Sequence, residues 1–412
     1  MRLKRGRTKP LLAGHPWVFA DAVAGVEGDS DPGAEVRVLD ANGTFLGRGY
    51  YSPDSAIAVR LLTREDTPAD ESLLAKRIDA AIALRRDVLG FEFPPLPERS
   101  NARSDPLPPG ERATTAYRIV NSEGDGLGGL VVDRYGPYLC LQLGTAGMDR
   151  RRDAILDLLE ERLQPKAILD KSDRRIRSIE KLTQPQAEPL RGAMPDGPFE
   201  VFEDGLSLQV DLRPGKGQKT GLYLDQRENR THFARFAEGK DVLDVFAYTG
   251  GFSLHAARAK PKSLTLVEAN EGALRTAQQN LAHNGVEDAD LICVEWTEGL
   301  RMLQTQACVY DLVVLDPPKF TQRRDSHDKA LNAYRDLNAQ AARLLRPGAI
   351  LFSCSCSGNV SETDFERAVA AGLAHAGRRA TLLERRGASR DHPTLPGFDQ
   401  GRYLKCLVLR VD

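Results

Sequence analysis

Over the first 66 residues, apolar and polar positions alternate in short runs, VRVLD, TFLGRGYYS and IAVRLLT, broken by the turn signals DPG and ANG. This pattern predicts a small β-rich module. From Glu71 to Leu89 the spacing changes, with Leu74, Ile78, Ile82 and Leu89 near helical intervals, and predicts a helix. The stretch 92–112 carries six prolines among polar residues, holds no regular element, and is expected to loop out as an insertion. YRIVNSEGDGLGGLVVDRYGPYLCLQL, from Tyr117, reads as two strands around glycine-rich turns. A helix over 149–163 and a strand at Ala167–Asp170 follow, giving a small α+β pattern with a basic segment, KSDRRIRS.

Past Pro198 the pattern becomes a β-α alternation: VLDVFA, SLTLVEA, DLICVEW, YDLVVLDPP and AILFSCS, with helices between them and a long helix to Leu345 before the last. Continuous apolar strands of four to six residues alternating with helices predict a doubly wound, mostly parallel sheet. A helix at 361–375, a strand at Ala380–Arg385 and another in RYLKCLVLRV would add an antiparallel pair at the edge. The expected organisation is therefore residues 1–70, 71–195 and 196–412: a β-rich domain, a small α+β domain and an α/β domain.

Composition narrows the classes. The 412 residues hold 57 Lys plus Arg against 58 Asp plus Glu, so no global field draws the chain to an acidic polymer, and any nucleic-acid surface must be a local basic patch. The start, MRLKRGRTKP, is locally basic, with Arg2, Lys4, Arg5, Arg7 and Lys9. No apolar run approaches the ~18 residues of a membrane helix, and no apolar core follows the basic start, so a soluble, cytoplasmic protein without membrane contact is expected. The six cysteines lack metal-type spacing and are expected to be reduced thiols, mostly core fillers.

Ligands of open α/β sheets bind beyond the carboxyl ends of the strands. Here the first strand runs into DVFAYTGG, Asp244 to Gly251, which lacks G-x-G-x-x-G and carries Phe246 and Tyr248 where a pyrophosphate needs bare backbone. No G-x-x-x-x-G-K-[ST] occurs either. The second strand ends in Glu268, 24 residues on, where a carboxylate can accept both hydroxyls of a ribose. An adenosine ligand without phosphates, S-adenosylmethionine, fits this pair, and its sulfonium charge favours nearby carboxylates. The fourth strand ends in Asp316-Pro317-Pro318-Lys319-Phe320, where two prolines hold the exit turn extended and rigid.

DVFAYTGGFSLHAA, VEANEGALRTAQQNLAHNG, VLDPPKF and FSCSCSG resemble the class I S-adenosylmethionine-dependent RNA methyltransferases. TGLYLDQRENR at 220–230 and HPWVF at His15–Phe19 are similar to the branch with an N-terminal PUA domain that methylates cytosine C5 in large-subunit (23S) ribosomal RNA. The resemblance covers nearly the whole chain apart from the proline-rich stretch. It implies a Rossmann-like methyltransferase domain preceded by the α+β and PUA modules, S-adenosylmethionine as cofactor, and ribosomal RNA as partner, with a homodimer left open. The cofactor would be held by Asp244, Phe246, Tyr248, Gly250, Glu268, Ala269, Glu295, Trp296, Asp316 and Pro317, with Tyr223 and Gln226 shaping the floor of its pocket. Arg2, Lys4, Arg5, Arg7 and Lys319 would contact RNA; no metal is implied.

Cytosine C5 is a poor nucleophile, and addition of a thiolate to C6 turns it into an enamine carbon. Some C5 methyltransferases carry a cysteine beside the strand-four prolines, where this chain has Lys319. The branch it resembles places the nucleophile after strand five, in the frame matched by Ser355-Cys356-Ser357-Gly358. Cys354 and Cys356 lie two apart and would share a strand face, but Cys356 is nearer the cleft. Asp316 would hold the N3/N4 edge of the base, Lys319 is one source of a field that lowers the thiol pKa, and the C5 proton acceptor is unassigned. A guanine-N7 methyltransferase, which needs no thiol, and a noncatalytic assembly factor are the competing readings.

Overall fold

In the computed structural model the described residues are 1–28, 31–91, 114–215, 221–320 and 327–412. The proline-rich stretch 92–112 and Thr220 of the pre-sheet segment lie outside them. The chain divides into two units: Met1–Gly205 with Val210–Leu224 and Arg390–Gly401, and Leu206–Gln209 with Asp225–Ser389 and Arg402–Asp412.

The first unit holds two sheets. Strands β1 (Arg2–Leu3), β2 (Trp17–Phe19), β3 (Val23–Gly25), β4 (Glu35–Leu39), β5 (Phe45–Tyr51) and β6 (Ile57–Thr63) form one, in the order β2-β6-β5-β4-β1-β3. Leu3, Val18, Val36, Val38 and Val59 close its core. The second sheet, β7 (Ala116–Asn121), β8 (Leu130–Tyr135), β9 (Tyr138–Leu143), β10 (Ala167–Asp170) and β11 (Arg191–Gly192), runs in the order β11-β10-β9-β8-β7. The segment read as two strands from Tyr117 is thus three, because Gly136, at φ +55°, turns LVVDRY back onto YLCLQL as a tight hairpin. Leu74, Ile78 and Ile82 pack on this sheet, as their spacing predicts. Their helix spans Glu71–Ala83, capped by Asp70 accepting from Leu73 N, and opens into a wider π-type turn over Leu84–Val88 instead of running regularly to Leu89. There the fully buried Arg85 leaves the regular ladder to pair with Asp125. The predicted helix 149–163 is observed as Ala146–Arg150 and Arg152–Leu163.

After β12 (Phe199–Glu203) and β13 (Leu206–Val210), the second unit holds β14 (Asp241–Val245), β15 (Ser263–Val267), β16 (Asp290–Ile292), β17 (Tyr310–Leu315), β18 (Leu345–Ser355), β19 (Ala380–Arg386) and β20 (Lys405–Val411). Their order is β16-β15-β14-β17-β18-β20-β19, with β14 to β18 parallel and β20 antiparallel between β18 and β19. This is the Rossmann-like doubly wound sheet with the added antiparallel pair. The order reverses at β14, so the exits of β14, β15, β17 and β18 converge at one edge, where such sheets take ligands. The long helix ends at Ala342 rather than Leu345, because Leu345 already pairs with Tyr310 at the start of β18. No described helix is long and apolar enough to cross a membrane.

Candidate active site

The exit of β14 bends sharply. Phe246, Tyr248 and Gly250 adopt φ of +66°, +49° and +79°, an unusual density of left-handed backbone. Two anchors hold the bend: Phe246 N donates to Val267 O at 2.9 Å, and Asn280 Nδ2 donates to Thr249 O at 2.8 Å. At Gly250 an added Cβ would lie 3.0 Å from Ala277 Cβ. Just before the bend, Asp244 is buried and takes the N–H and hydroxyl of Ser253 on Oδ2, at 3.1 and 2.8 Å. Its Oδ1 is buried with no hydrogen-bond partner among the described residues. Burial pushes its carboxyl up to about 7 against the Ser253 bonds, and the charges of Asp316 and Glu268 add to the rise.

Glu268, at the exit of β15, accepts from Tyr248 N at 2.9 Å and from Asn270 N at 2.8 Å, one on each oxygen. An ionised carboxylate has about four acceptor positions, so these two bonds orient it and leave capacity for a diol. Ala269 is exposed beside it. At the exit of β16, Glu295 is exposed at the N-cap of the helix Trp296–Thr305, and the half-buried Trp296 ring lies 6.2 Å from that of Phe246. Phe320 lies 6.5 Å beyond Phe246, which completes an aromatic wall. The unpartnered Asp244 oxygen, the half-engaged Glu268 and this wall fit a cationic, diol-bearing, planar ligand better than a phosphate.

At the exit of β17, Asp316 is held by Gln226, whose Nε2 donates to Oδ1 at 2.9 Å. Gln226 thus reaches the Asp-Pro-Pro turn, a contact that the pre-sheet motif alone does not disclose. Pro317 is buried; Pro318 and Lys319 are exposed. The Pro317 carbonyl accepts a weak bond from Cys356 Sγ at 3.8 Å. Cys356 is half-buried one residue past β18, whereas Cys354 lies fully buried inside the strand, in register with Cys406 on β20. Cys406 and burial push the Cys354 thiol well above its ordinary value, which keeps it protonated and inert.

Two further groups surround Cys356. Ser355 Oγ donates to Tyr334 Oη at 2.8 Å, and Tyr334 Oη and Ser357 Oγ lie 2.9 Å apart, so one phenol bridges the serines flanking the cysteine. Lys405, in register with Ser355 on β20, is buried and donates from Nζ to Ser357 O and Val360 O at 2.7 and 2.8 Å. Neither was singled out from sequence. The one available signal for Lys405 was a charge at the head of an otherwise apolar strand.

Other expected residues belong to the first unit. Tyr223 falls in the first unit, as do Arg2, Lys4, Arg5 and Arg7. All four basic residues are exposed. Lys4 Nζ donates to Asp21 O at 2.8 Å and Arg7 lies 3.4 Å from the Asp21 carboxylate, while Arg2 and Arg5 face solvent. The HPWVF segment is partly structural: Trp17 packs against Phe398 at 4.8 Å, and its Nε1 donates to Glu123 at 2.7 Å.

The fold and site define a class I S-adenosylmethionine-dependent methyltransferase carrying a PUA-like module. Residues 1–64 match the PUA-like domain, and residues 168–410 match the S-adenosylmethionine-dependent methyltransferase family. The crystal structure of SMU.776, assigned as a methyltransferase and complexed with SAH, shares the fold, with a TM-score of 0.82 over 100% of this chain and 99% of that one at 19% identity. Ribosomal RNA large subunit methyltransferase I of Shewanella denitrificans is 37% identical, over 100% of this chain and 99% of its own. The enzymes of the same name from Shewanella amazonensis and Erwinia tasmaniensis are 38% and 35% identical, over 100% and 99% of this chain and 99% and 98% of theirs. The chain belongs to the ribosomal RNA large subunit methyltransferase I family.

Proposed function

We propose that this protein methylates C5 of a cytosine in large-subunit (23S) ribosomal RNA, with Cys356 as covalent nucleophile. The observation that carries the reading is the half-buried Cys356 thiol against the Pro317 carbonyl, beside Asp316 at the ligand edge of the sheet. A base-N7 methyl transfer would have no use for a thiol there. The relatives' names support large-subunit ribosomal RNA as substrate. A base inside a duplex cannot offer C5 and C6 to a protein, so the target is unpaired or flipped.

S-adenosylmethionine, when bound, supplies the methyl group; Asp244, Phe246, Tyr248, Gly250, Glu268, Ala269, Glu295 and Trp296, with Asp316 and Pro317, hold it. The Cys356 thiolate adds to C6, and the C5–C6 π electrons become an enamine whose C5 carries the nucleophilic pair. Asp316, fixed by Gln226, accepts a hydrogen bond from the exocyclic N4 amine and orients the ring. After methylation C5 gives its proton to a solvent base, the C5–C6 double bond re-forms from that C–H pair, and sulfur leaves C6 as thiolate. Residues 1–70 grip the RNA, with Arg2, Lys4, Arg5 and Arg7 on phosphates and Lys319 beside the target; residues 71–195 form the middle domain and residues 196–412 the catalytic one.

The test is nucleoside mass analysis of ribosomal RNA methylated by wild-type and Cys356→Ala proteins. The expected product is 5-methylcytidine, with the variant inactive; a Cys356→Ala protein working near the wild-type rate, or a product of 7-methylguanosine, overturns the reading.

A further inference from the structure

We propose that Lys405 is the positioning residue that holds the Cys356 thiol in its ionised form at neutral pH, through a buried ammonium built into the loop that carries the thiol. The inference rests on the reading of Cys356 as nucleophile. Lys405 heads β20 directly opposite Ser355, and its side chain is almost wholly buried, at 5% exposure. Two of its three N–H donors go to Ser357 O and Val360 O, the carbonyls that follow Cys356. These bonds tie the cation to the loop so that charge and sulfur keep one geometry. Carbonyl oxygens satisfy the donors and leave the charge itself unbalanced. A buried cation needs an anion nearby or it is driven to its neutral form.

The groups around the pair decide which anion that is. Around Lys405 stand Cys356 and Glu362, which favour its charge, and Lys319, which opposes it. Glu362 and Lys319 are exposed, and water screens what they contribute. Asp316 carries a charge that opposes an anion on sulfur, and the Tyr334 phenol is engaged with Ser355 and Ser357. Among the described residues, the least exposed group that can balance the Lys405 charge as an anion is therefore the half-buried sulfur of Cys356. Burial brings the ammonium down to about 8, a value at which it is still mostly charged at neutral pH. An ammonium that stabilises a thiolate lowers the pKa of the thiol; the S–H proton passes to solvent and Lys405 keeps its own. Lys319, the candidate that the sequence offered for this field, is exposed and screened, whereas Lys405 acts through a low-dielectric path.

The coupling is read without methyl transfer, so its failure is distinguishable from failure of the nucleophile assignment. Alkylation of Cys356 by iodoacetamide, followed by peptide mass spectrometry over pH 5–10, gives its apparent pKa in the full-length protein. In wild type it is expected below the ordinary thiol value of about 8.5. Lys405→Met should raise it by a unit or more, slowing alkylation at pH 7 about tenfold, and Lys405→Arg should restore most of the shift; an unchanged Cys356 profile in Lys405→Met overturns the proposal. A second measurement leaves Lys405 in place: in protein with isotopically labelled lysine, the Lys405 ammonium pKa should fall in Cys356→Ser relative to wild type, because coupling is reciprocal. No fall overturns the proposal equally.

Discussion

Gln226 donates to Asp316 with only one possible polarity. Arg386 Nε, which can only donate, binds Asn229 Oδ1 at 3.0 Å; this turns Asn229 Nδ2 toward Gln226 Oε1 at 2.7 Å and leaves Gln226 Nε2 for Asp316 Oδ1 at 2.9 Å. A carboxylate held from behind in this way keeps one orientation at the ligand edge of the sheet. Gln226→Met preserves bulk and removes the donor. A hydrogen bond to a charged group contributes about 1.5–3 kcal/mol, so kcat should fall roughly tenfold to a hundredfold with a smaller change in the Kd for S-adenosylmethionine. A weakened Kd with intact kcat would assign Gln226 to the cofactor pocket instead.

Gly250 and Gly285 allow a controlled test of the β14 exit. Both sit at left-handed φ, +79° and +77°, but a Cβ at Gly250 would press on Ala277 while one at Gly285 meets open space. Each Gly→Ala change should lower stability by about 1–2 kcal/mol through backbone strain. Only Gly250→Ala should also weaken cofactor binding, roughly tenfold where a displaced loop forfeits about 1.4 kcal/mol. Calorimetric titration of both variants reads the difference, and equal affinities would show that the bend does not shape the pocket.

The layered sheet was legible in the sequence because buried parallel strands announce themselves as continuous apolar runs, and Asp244, Glu268, Asp316 and Cys356 could be placed at their ends by counting. The third strand of the middle sheet was not, because Gly136-Pro137 makes a turn too short to interrupt the apolar pattern. Pairings across the fold were silent as well. Gln226 and Asp316 are 90 residues apart, and nothing in either motif says that one holds the other. Lys405 carries no more signal in the sequence than a charge beside an apolar run; only the register of β20 on β18 turns it inward.

The N-terminal basic residues should separate by their neighbours. Arg2 and Arg5 are exposed to solvent, while Lys4 and Arg7 share Asp21. Removing one cation from an RNA phosphate lowers the slope of log K against log salt by about 0.7–0.9. An Arg2→Ala/Arg5→Ala protein should show nearly twice that decrease, and Arg7→Ala less than a single such decrease, because Asp21 already offsets part of its charge. Filter binding of a ribosomal RNA fragment over a salt series measures this, and a slope unmoved in the double variant would remove these residues from the RNA interface.

Asp244 gives the free protein a defined response to pH. Its folded carboxyl titrates at about 7, against an ordinary value of 3.8. Between those values the folded state holds a proton that the unfolded chain has lost, so raising the pH favours unfolding across this window. The contribution of this group is full below pH 3.8, declines with a limiting slope of about 1.4 kcal/mol per pH unit, and levels off above pH 7. Asp244→Asn keeps an acceptor for Ser253 and does not titrate. Urea unfolding at a series of pH values, subtracting variant from wild type to cancel every other carboxylate, should show wild type losing ground steadily from pH 4 to pH 7 and then running parallel. A difference that stays flat across pH 4–7 would mean that Asp244 is ionised in the folded protein, with its second oxygen reached by water.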